Sequence, residues 1–276
     1  MVNPFIPLIQ SYLPEPEVSL LTGMLFGKTP GFPKELYNAL ITTGTIHVVA
    51  LSGMNISILT NLICKITFPL GRKLSSIISI LMITGFIFFV GPSPTIIRAG
   101  IMGVLTMTAV YFGRQPFSLL SLFVAGAVMI LMDPKVISNL SFQLSFLATL
   151  GILIFAPSAR SIRFGQARKN LYLSIWVDIK NIFWENLRTT LAAQVATLPV
   201  IVFSFGRISL VSPLSNVLIG WTIFPIMVLG LIISIAGIIF LPFGQITAWF
   251  IYPLLWYFVK VVEVTAKLPF ASLTLK

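Results

Sequence analysis

The sequence predicts an all-α fold: a polytopic helical membrane protein of about eight spans, including short or broken helices around a polar cavity. Three observations predict it. Of the 276 residues, 57% are hydrophobic and 9% are charged, against roughly 25% charged in a soluble domain. Trp, Tyr and Phe together number 34, which excludes a disordered chain, since disorder goes with few aromatics and much charge. Apolar segments near the length that crosses a bilayer recur in series, separated by Pro, Gly and charge.

The elements follow in order. Residues 1–45 read as an N-terminal tail. Pro4, Pro7, Pro14 and Pro16 break its start, a short apolar piece runs from Leu20 to Phe26, and an amphipathic or interfacial helix runs from Lys34 to Ile41. The membrane domain, 46–266, contains spans at 46–68, 75–91, 95–112, 116–132, 137–157, 188–206, 215–241 and 245–266. Pro199, Pro225 and Pro253 interrupt the last three. A helix break at membrane depth is tolerated only inside protein or against water, so these interruptions favour a bundle around a cavity. Residues 158–187 form the longest polar stretch, with Arg160, Arg163, Arg168, Lys169 and Lys180 beside Trp176 and Trp184. That pattern predicts a cytoplasmic basic loop with a surface helix. Residues 267–276 are a C-terminal tail.

The net charge of +11 has two explanations, orientation in the membrane and the handling of a polyanion. With eight spans, ten basic residues fall on the cytoplasmic side and seven outside, Arg98 set aside, and both termini lie outside. Most of the excess therefore serves orientation. Arg98, with Arg114 and Arg207 at span ends, is left for an anion.

Several chemistries are excluded. One cysteine, Cys64, permits no intrachain disulfide, and one histidine with seven scattered acids predicts no metal site and no cofactor. The run Gly23-Met24-Leu25-Phe26-Gly27-Lys28-Thr29 has three residues between its glycines where a phosphate loop needs four, and prolines follow where the phosphate-binding helix should start. His47 and Ser52, five residues apart with no carboxylate near, do not make a hydrolase. The chain reads as a non-enzyme.

Polar residues inside the spans carry the remaining information. On one continuous helix Asn55 lies about 80° and Ser52 about 140° from His47, with Gly44 at about 60°, so one side of the first span is polar. Both helix packing and function account for such a side. Arg98 follows Pro92-Ser93-Pro94 just inside the third span. Two placements stay open for it, the bundle interior or a snorkel to the interface. Asp133 suits a helix stop or cap before Pro134, and Asn139 and Gln143 share a face, as do Ser141 and Ser145. Gln194, Thr197 and Asn216 add amides and a hydroxyl to later spans.

Taken together these segments resemble the membrane domain of the ComEC competence-channel family, which passes single-stranded DNA through the bacterial inner membrane. The resemblance rests on Gly23–Gly27, Thr43–Gly53, Pro94–Met102, Asp133-Pro134 with Phe142–Phe146, and Gln194, Pro199, Ser209 and Asn216, in order over about residues 17 to 266. Asn55 stands where that family commonly has a second histidine, and Ser141 where it has glycine. The resemblance implies the channel domain alone, without the oligonucleotide-binding-fold and metallo-β-lactamase-like domains of full-length members. It implies a DNA path touching His47, Ser52, Gly53, Asn55, Arg98, Arg114, Gln143, Ser145, Gln194 and Arg207. Gly44, Pro94, Asp133, Pro134, Pro199 and Asn216 are then structural motif positions. The expected partners are single-stranded DNA and membrane lipid. A separate DNA receptor, nuclease and cytoplasmic motor, and a homodimer partner, are further ones to consider. A small-anion carrier and a non-conducting scaffold are the alternatives.

Overall fold

The computed structural model describes residues 5–27, 32–49, 53–156, 171–239, 241–269 and 271–274. Among these residues are twelve α-helices, two short 3-10 turns and one pair of short strands. Five helices are long and apolar enough to cross a membrane: α6 (Arg72–Val90), α7 (Pro94–Tyr111), the Trp184–Ser204 part of α10 (Leu171–Phe205), α11 (Ser212–Ile239) and α12 (Leu241–Ala266). Helices α5 (Gly53–Thr67), α8 (Ser118–Met132) and α9 (Leu140–Phe155) have 15 or 16 residues. At 1.5 Å per residue they reach roughly 23 Å, short of the hydrocarbon thickness. Large apolar side chains such as Phe203 (90% exposed) and Trp249 (83%) point away from the protein, as lipid-facing residues do. The all-α membrane reading holds.

The predicted tail is where the packing departs most from the sequence division at residue 45. Helices α1 (Phe5–Gln10) and α2 (Glu17–Phe26) sit inside the bundle, and all ten residues of α2 are buried. Leu20, Leu21, Met24 and Leu25 join Ile226, Ile233, Ile251, Leu255 and Phe258 of α11 and α12 in the main core. The reason is length and pattern. A ten-residue, mostly apolar helix whose Glu17, Ser19 and Thr22 do not make a separate polar face cannot span and has little to offer water, so it fills the core. Helix α3 (Lys34–Thr42) is amphipathic as expected, burying Leu36 and Leu40.

Within the first predicted span the described helical segments are α4 (Ile46–Val49) and α5 (Gly53–Thr67), and residues 50–52 between them lie outside the described residues, as does the continuity on which the wheel from His47 to Asn55 depends. Helices α5, α6 and α7 share a second core of Ile56, Ile83, Ile96, Ala99 and Met107. Helices α9 and α10 pack so closely that a methyl at Gly151 would lie 2.5 Å from the Ala192 carbonyl oxygen and from Ala196 Cβ.

Two further expectations change. The segment 171–187 is no separate surface helix but the continuous start of the 35-residue α10; the basic residues Arg160, Arg163, Arg168 and Lys169 lie outside the described residues. The C-terminal tail contains β2 (Ser272–Thr274), antiparallel to β1 (Arg207–Ser209) with Ser209 opposite Ser272.

Candidate functional site

The sequence-selected polar residues gather into two constellations. The first is built on α7. Ser93 caps this helix by accepting from Ile96 N, and Pro94 occupies its first turn. Arg98 thereby points one turn into the bundle, 5% exposed, which settles its placement as interior. Its Nε donates to Ser145 Oγ of α9 at 3.0 Å, and Nη1 reaches Met102 Sδ at 3.5 Å. One turn away along the same seam Thr95 Oγ1 and Ser141 Oγ are 3.0 Å apart. Nη2 lies against the start of α5, where a methyl on Gly53 would be 3.0 Å from it.

The electrostatics of this corner are one-sided. A guanidinium cannot shed its proton at any ordinary pH. Among the described residues the only ion pair is Lys260 with Glu263 on α12, far along the chain. Helices α5 to α9 contain no Asp or Glu at all. The corner attracts an anion.

The second constellation gathers around Gly44. This residue has φ +67, a left-handed conformation that glycine adopts without strain. A methyl there would meet Ser212 Oγ at 3.0 Å and Ser209 Cβ at 3.3 Å. The Gly44 carbonyl accepts from His47 Nδ1 at 2.8 Å. That fixes the tautomer of a neutral ring and leaves Nε2 as an open acceptor. The ring is exposed. Gln194 Nε2 donates to the Ser209 carbonyl at 3.1 Å and Asn216 Nδ2 to Ser212 Oγ at 3.2 Å. Gln194 Oε1 and Ser209 Oγ are buried with no partner.

The chain from Gly44 to Gly53 joins the two groups, and so does the α9–α10 seam. Gly151 meets α10 between Ala192 and Ala196, the level of Gln194. Ser145, six residues earlier on α9, stands roughly 9 Å along the axis from that level.

Other selected residues serve the scaffold. Asn55 is fully buried and donates to the Met24 carbonyl at 2.8 Å, stitching α5 to the end of α2; it does not face an open path. Gln143 Nε2 closes the turn before α9 on the Ile137 carbonyl. Asp133 caps the 3-10 turn at Pro134–Ser138 by accepting from Lys135 N. Pro199 is exposed within α10. Arg114 is exposed beyond the C-terminal end of α7, opposite Arg98. Ser52 and the Arg207 side chain lie outside what the structure describes. Ser212, which sequence reasoning missed, was signalled by its place at the start of a long apolar helix.

The sequence pattern of the family described as Competence protein matches residues 24–276. The chain belongs to the Competence protein family. This family member is similar to ComE operon protein 3 of Bacillus subtilis (strain 168), with 23% identity over 77% of the chain and 26% of that protein. It is also similar to an uncharacterised protein of Aquifex aeolicus (strain VF5), with 28% identity over 55% of the chain and 36% of that protein. The competence-family chain thus spans about a quarter to a third of the length of these relatives. No solved structure matches it.

Proposed function

We propose that this competence-family protein is a pore component that conducts single-stranded DNA across the bacterial cytoplasmic membrane, with both chain termini outside. The observation that carries the reading is the buried Arg98 guanidinium, held by Ser145, with no ion-pair partner among the described residues and set against Gly53 of α5. A strand presents one phosphate per nucleotide, and translocation needs contacts that hold each phosphate briefly and release it. A single guanidinium supplies such a contact. The neutral donors and acceptors around Gly44, notably His47 Nε2, suit sugar and base edges at a second level of the path. Nothing in the set performs bond chemistry, so strand degradation and the driving force belong to a nuclease, a motor and a DNA receptor supplied separately.

The test is complementation in a naturally competent host lacking the gene. Loss of a charged hydrogen bond of 1.5–3 kcal/mol corresponds to a roughly tenfold to hundredfold change, so Arg98→Ala is expected to lower transformation by about that factor at equal protein level. His47→Ala lowers it less. Unchanged transformation in both variants refutes the site.

A second reading, a carrier for a small anion, is favoured by the same buried arginine, a cation that suits a small anion as well as a phosphodiester. Flux assays in liposomes separate the two: saturable anion flux with no DNA conductance selects the carrier.

A further inference from the structure

We propose that the end of the bundle where α6 begins and α7 finishes binds one anionic phospholipid, with the headgroup on Arg72, Lys73 and Arg114 and an acyl chain in the groove between the two helices. The site stands apart from the DNA reading and does not depend on it.

The antiparallel pairing of α6 with α7 brings the cations together. α7 finishes in a left-handed turn at Gly113, φ +72, with Gly113 N donating to the Val110 carbonyl at 3.0 Å and Arg114 N to the Ala109 carbonyl at 2.9 Å. This is the pair of bonds that closes a helix on a glycine. The Arg72 guanidinium lies where Gly113 has no side chain: a methyl there would be 2.8 Å from Nη1 and 3.1 Å from Cζ. Lys73, the next residue of α6, holds its Nζ 5.9 Å from the centre of the Tyr111 ring, within reach of cation–π attraction. Arg114 follows Gly113 directly, and all three cations are exposed.

The surrounding chain does not offset their charge. Residues 36–132 contain no Asp or Glu, and the one ion pair among the described residues is Lys260 with Glu263. A helix start carries about half a positive charge and a helix finish about half a negative one. The start of α6 and the finish of α7 therefore cancel, and three full cations remain.

Three exposed cations call for an anion, and what lies around them makes it a lipid. Phe112 and Phe117 are exposed beside the cations, and aromatic rings with basic residues mark the headgroup level of a membrane protein. Further along, α6 and α7 leave an open groove of about 250 Å³ lined by Ile87, Ile97, Gly100, Ile101, Val104 and Leu105, with no polar side chain among them. Ile97, Val104 and Tyr111 are spaced by seven, so the groove and the ring under Lys73 share one face of α7. Val104 stands about 10 Å from Tyr111 along the axis, inside a leaflet whose hydrocarbon is about 15 Å deep. The groove thus meets the lower part of an acyl chain whose headgroup lies at Tyr111. A soluble anion would use the cations and leave the groove, and a neutral lipid would do the reverse. An anionic phospholipid uses both.

The experiment takes the full chain, purified in a neutral detergent and stripped of lipid. Thermal unfolding is followed at constant ionic strength against phosphatidylglycerol, phosphatidylcholine with the same acyl chains, and glycerol phosphate. A basic residue beside anionic lipid is worth roughly fivefold in affinity. The expected result is a saturable rise in Tm with phosphatidylglycerol, at a midpoint on the order of a hundredfold below that of phosphatidylcholine, and no rise with glycerol phosphate over the same range. Arg72→Gln combined with Lys73→Gln raises the phosphatidylglycerol midpoint roughly 25-fold and leaves that of phosphatidylcholine unchanged. Val104→Phe, which fills the groove, weakens both lipids. Lys135→Gln removes an exposed cation beyond the far end of α8 and changes neither. Equal midpoints for the two lipids overturn the proposal, as does a rise with glycerol phosphate that matches phosphatidylglycerol, or an equal response to Lys135→Gln. If a variant does not fold, native mass spectrometry of the wild-type chain decides: retention of phosphatidylglycerol over phosphatidylcholine supports the site, and no preference overturns it. Oligothymidylate that stabilises the chain through Arg72 and Lys73 where phosphatidylglycerol does not gives the patch to nucleic acid and overturns the lipid site.

Discussion

Replacing Gly151 by alanine tests the link between helix packing and the site. The new methyl would sit 2.5 Å from the Ala192 carbonyl oxygen and 2.5 Å from Ala196 Cβ. Carbon contacts are ordinarily 3.5–4.0 Å, so α9 and α10 must part by roughly 1 Å at this level. One of the two obstacles is backbone and cannot rotate away. Overpacking costs about 1–3 kcal/mol, while alanine in place of glycine returns up to about 1 kcal/mol of helix propensity. The balance is a loss of about 2 kcal/mol, because the obstacle is rigid. The displacement also reaches Ser145, on the same helix, and stretches its 3.0 Å bond with Arg98 Nε. The internal control is Gly85 in α6, where an added methyl meets nothing within 4 Å. Gly85→Ala should stabilise by about 0.5–1 kcal/mol. Thermal unfolding of both variants in one detergent, paired with transformation frequency, reads the outcome. If Gly151→Ala matched Gly85→Ala in both measurements, the close α9–α10 seam and its coupling to Arg98 would be wrong.

Three further substitutions have definite expectations. Asn55→Ala strips the donor from the Met24 carbonyl inside the core and should cost about 1–3 kcal/mol in thermal unfolding, at odds with a path-lining role if DNA uptake falls only in proportion to folded protein. Asp133→Ala removes a cap and should cost about 1 kcal/mol, measured the same way, with no specific effect on uptake. Ser209→Ala removes a buried hydroxyl that has no partner; stability should hold or rise, and a drop beyond 1 kcal/mol in Tm-derived stability would show that the hydroxyl holds a bound partner.

Composition and span positions were legible because apolar length is a one-dimensional quantity. The Arg98–Ser145 pairing was legible in part: both residues stood out as polar in apolar spans, but only packing could choose the interior for the arginine. α2 was not legible, since a ten-residue, mostly apolar segment fits a loop-end, an interfacial piece or a core filler equally until α11 and α12 are in place around it. Asn55 and Gln143 drew attention by polarity alone, yet each spends its amide on a backbone carbonyl, a use that no spacing rule separates from a binding role.

The two-stranded pairing near the C-terminus has a mechanical consequence. β2 grips β1 in antiparallel register, and β1 is the short bridge between the end of α10 and the start of α11. The carbonyl of Ser209, the last residue of that bridge, is what Gln194 holds, and the Ser209 and Ser212 side chains fit against Gly44. Tension on residues 272–274 is therefore delivered, through backbone hydrogen bonds rather than through soft side-chain contacts, to the joint where four segments of the bundle meet. The C-terminal strand is a tie on the joint between α10 and α11.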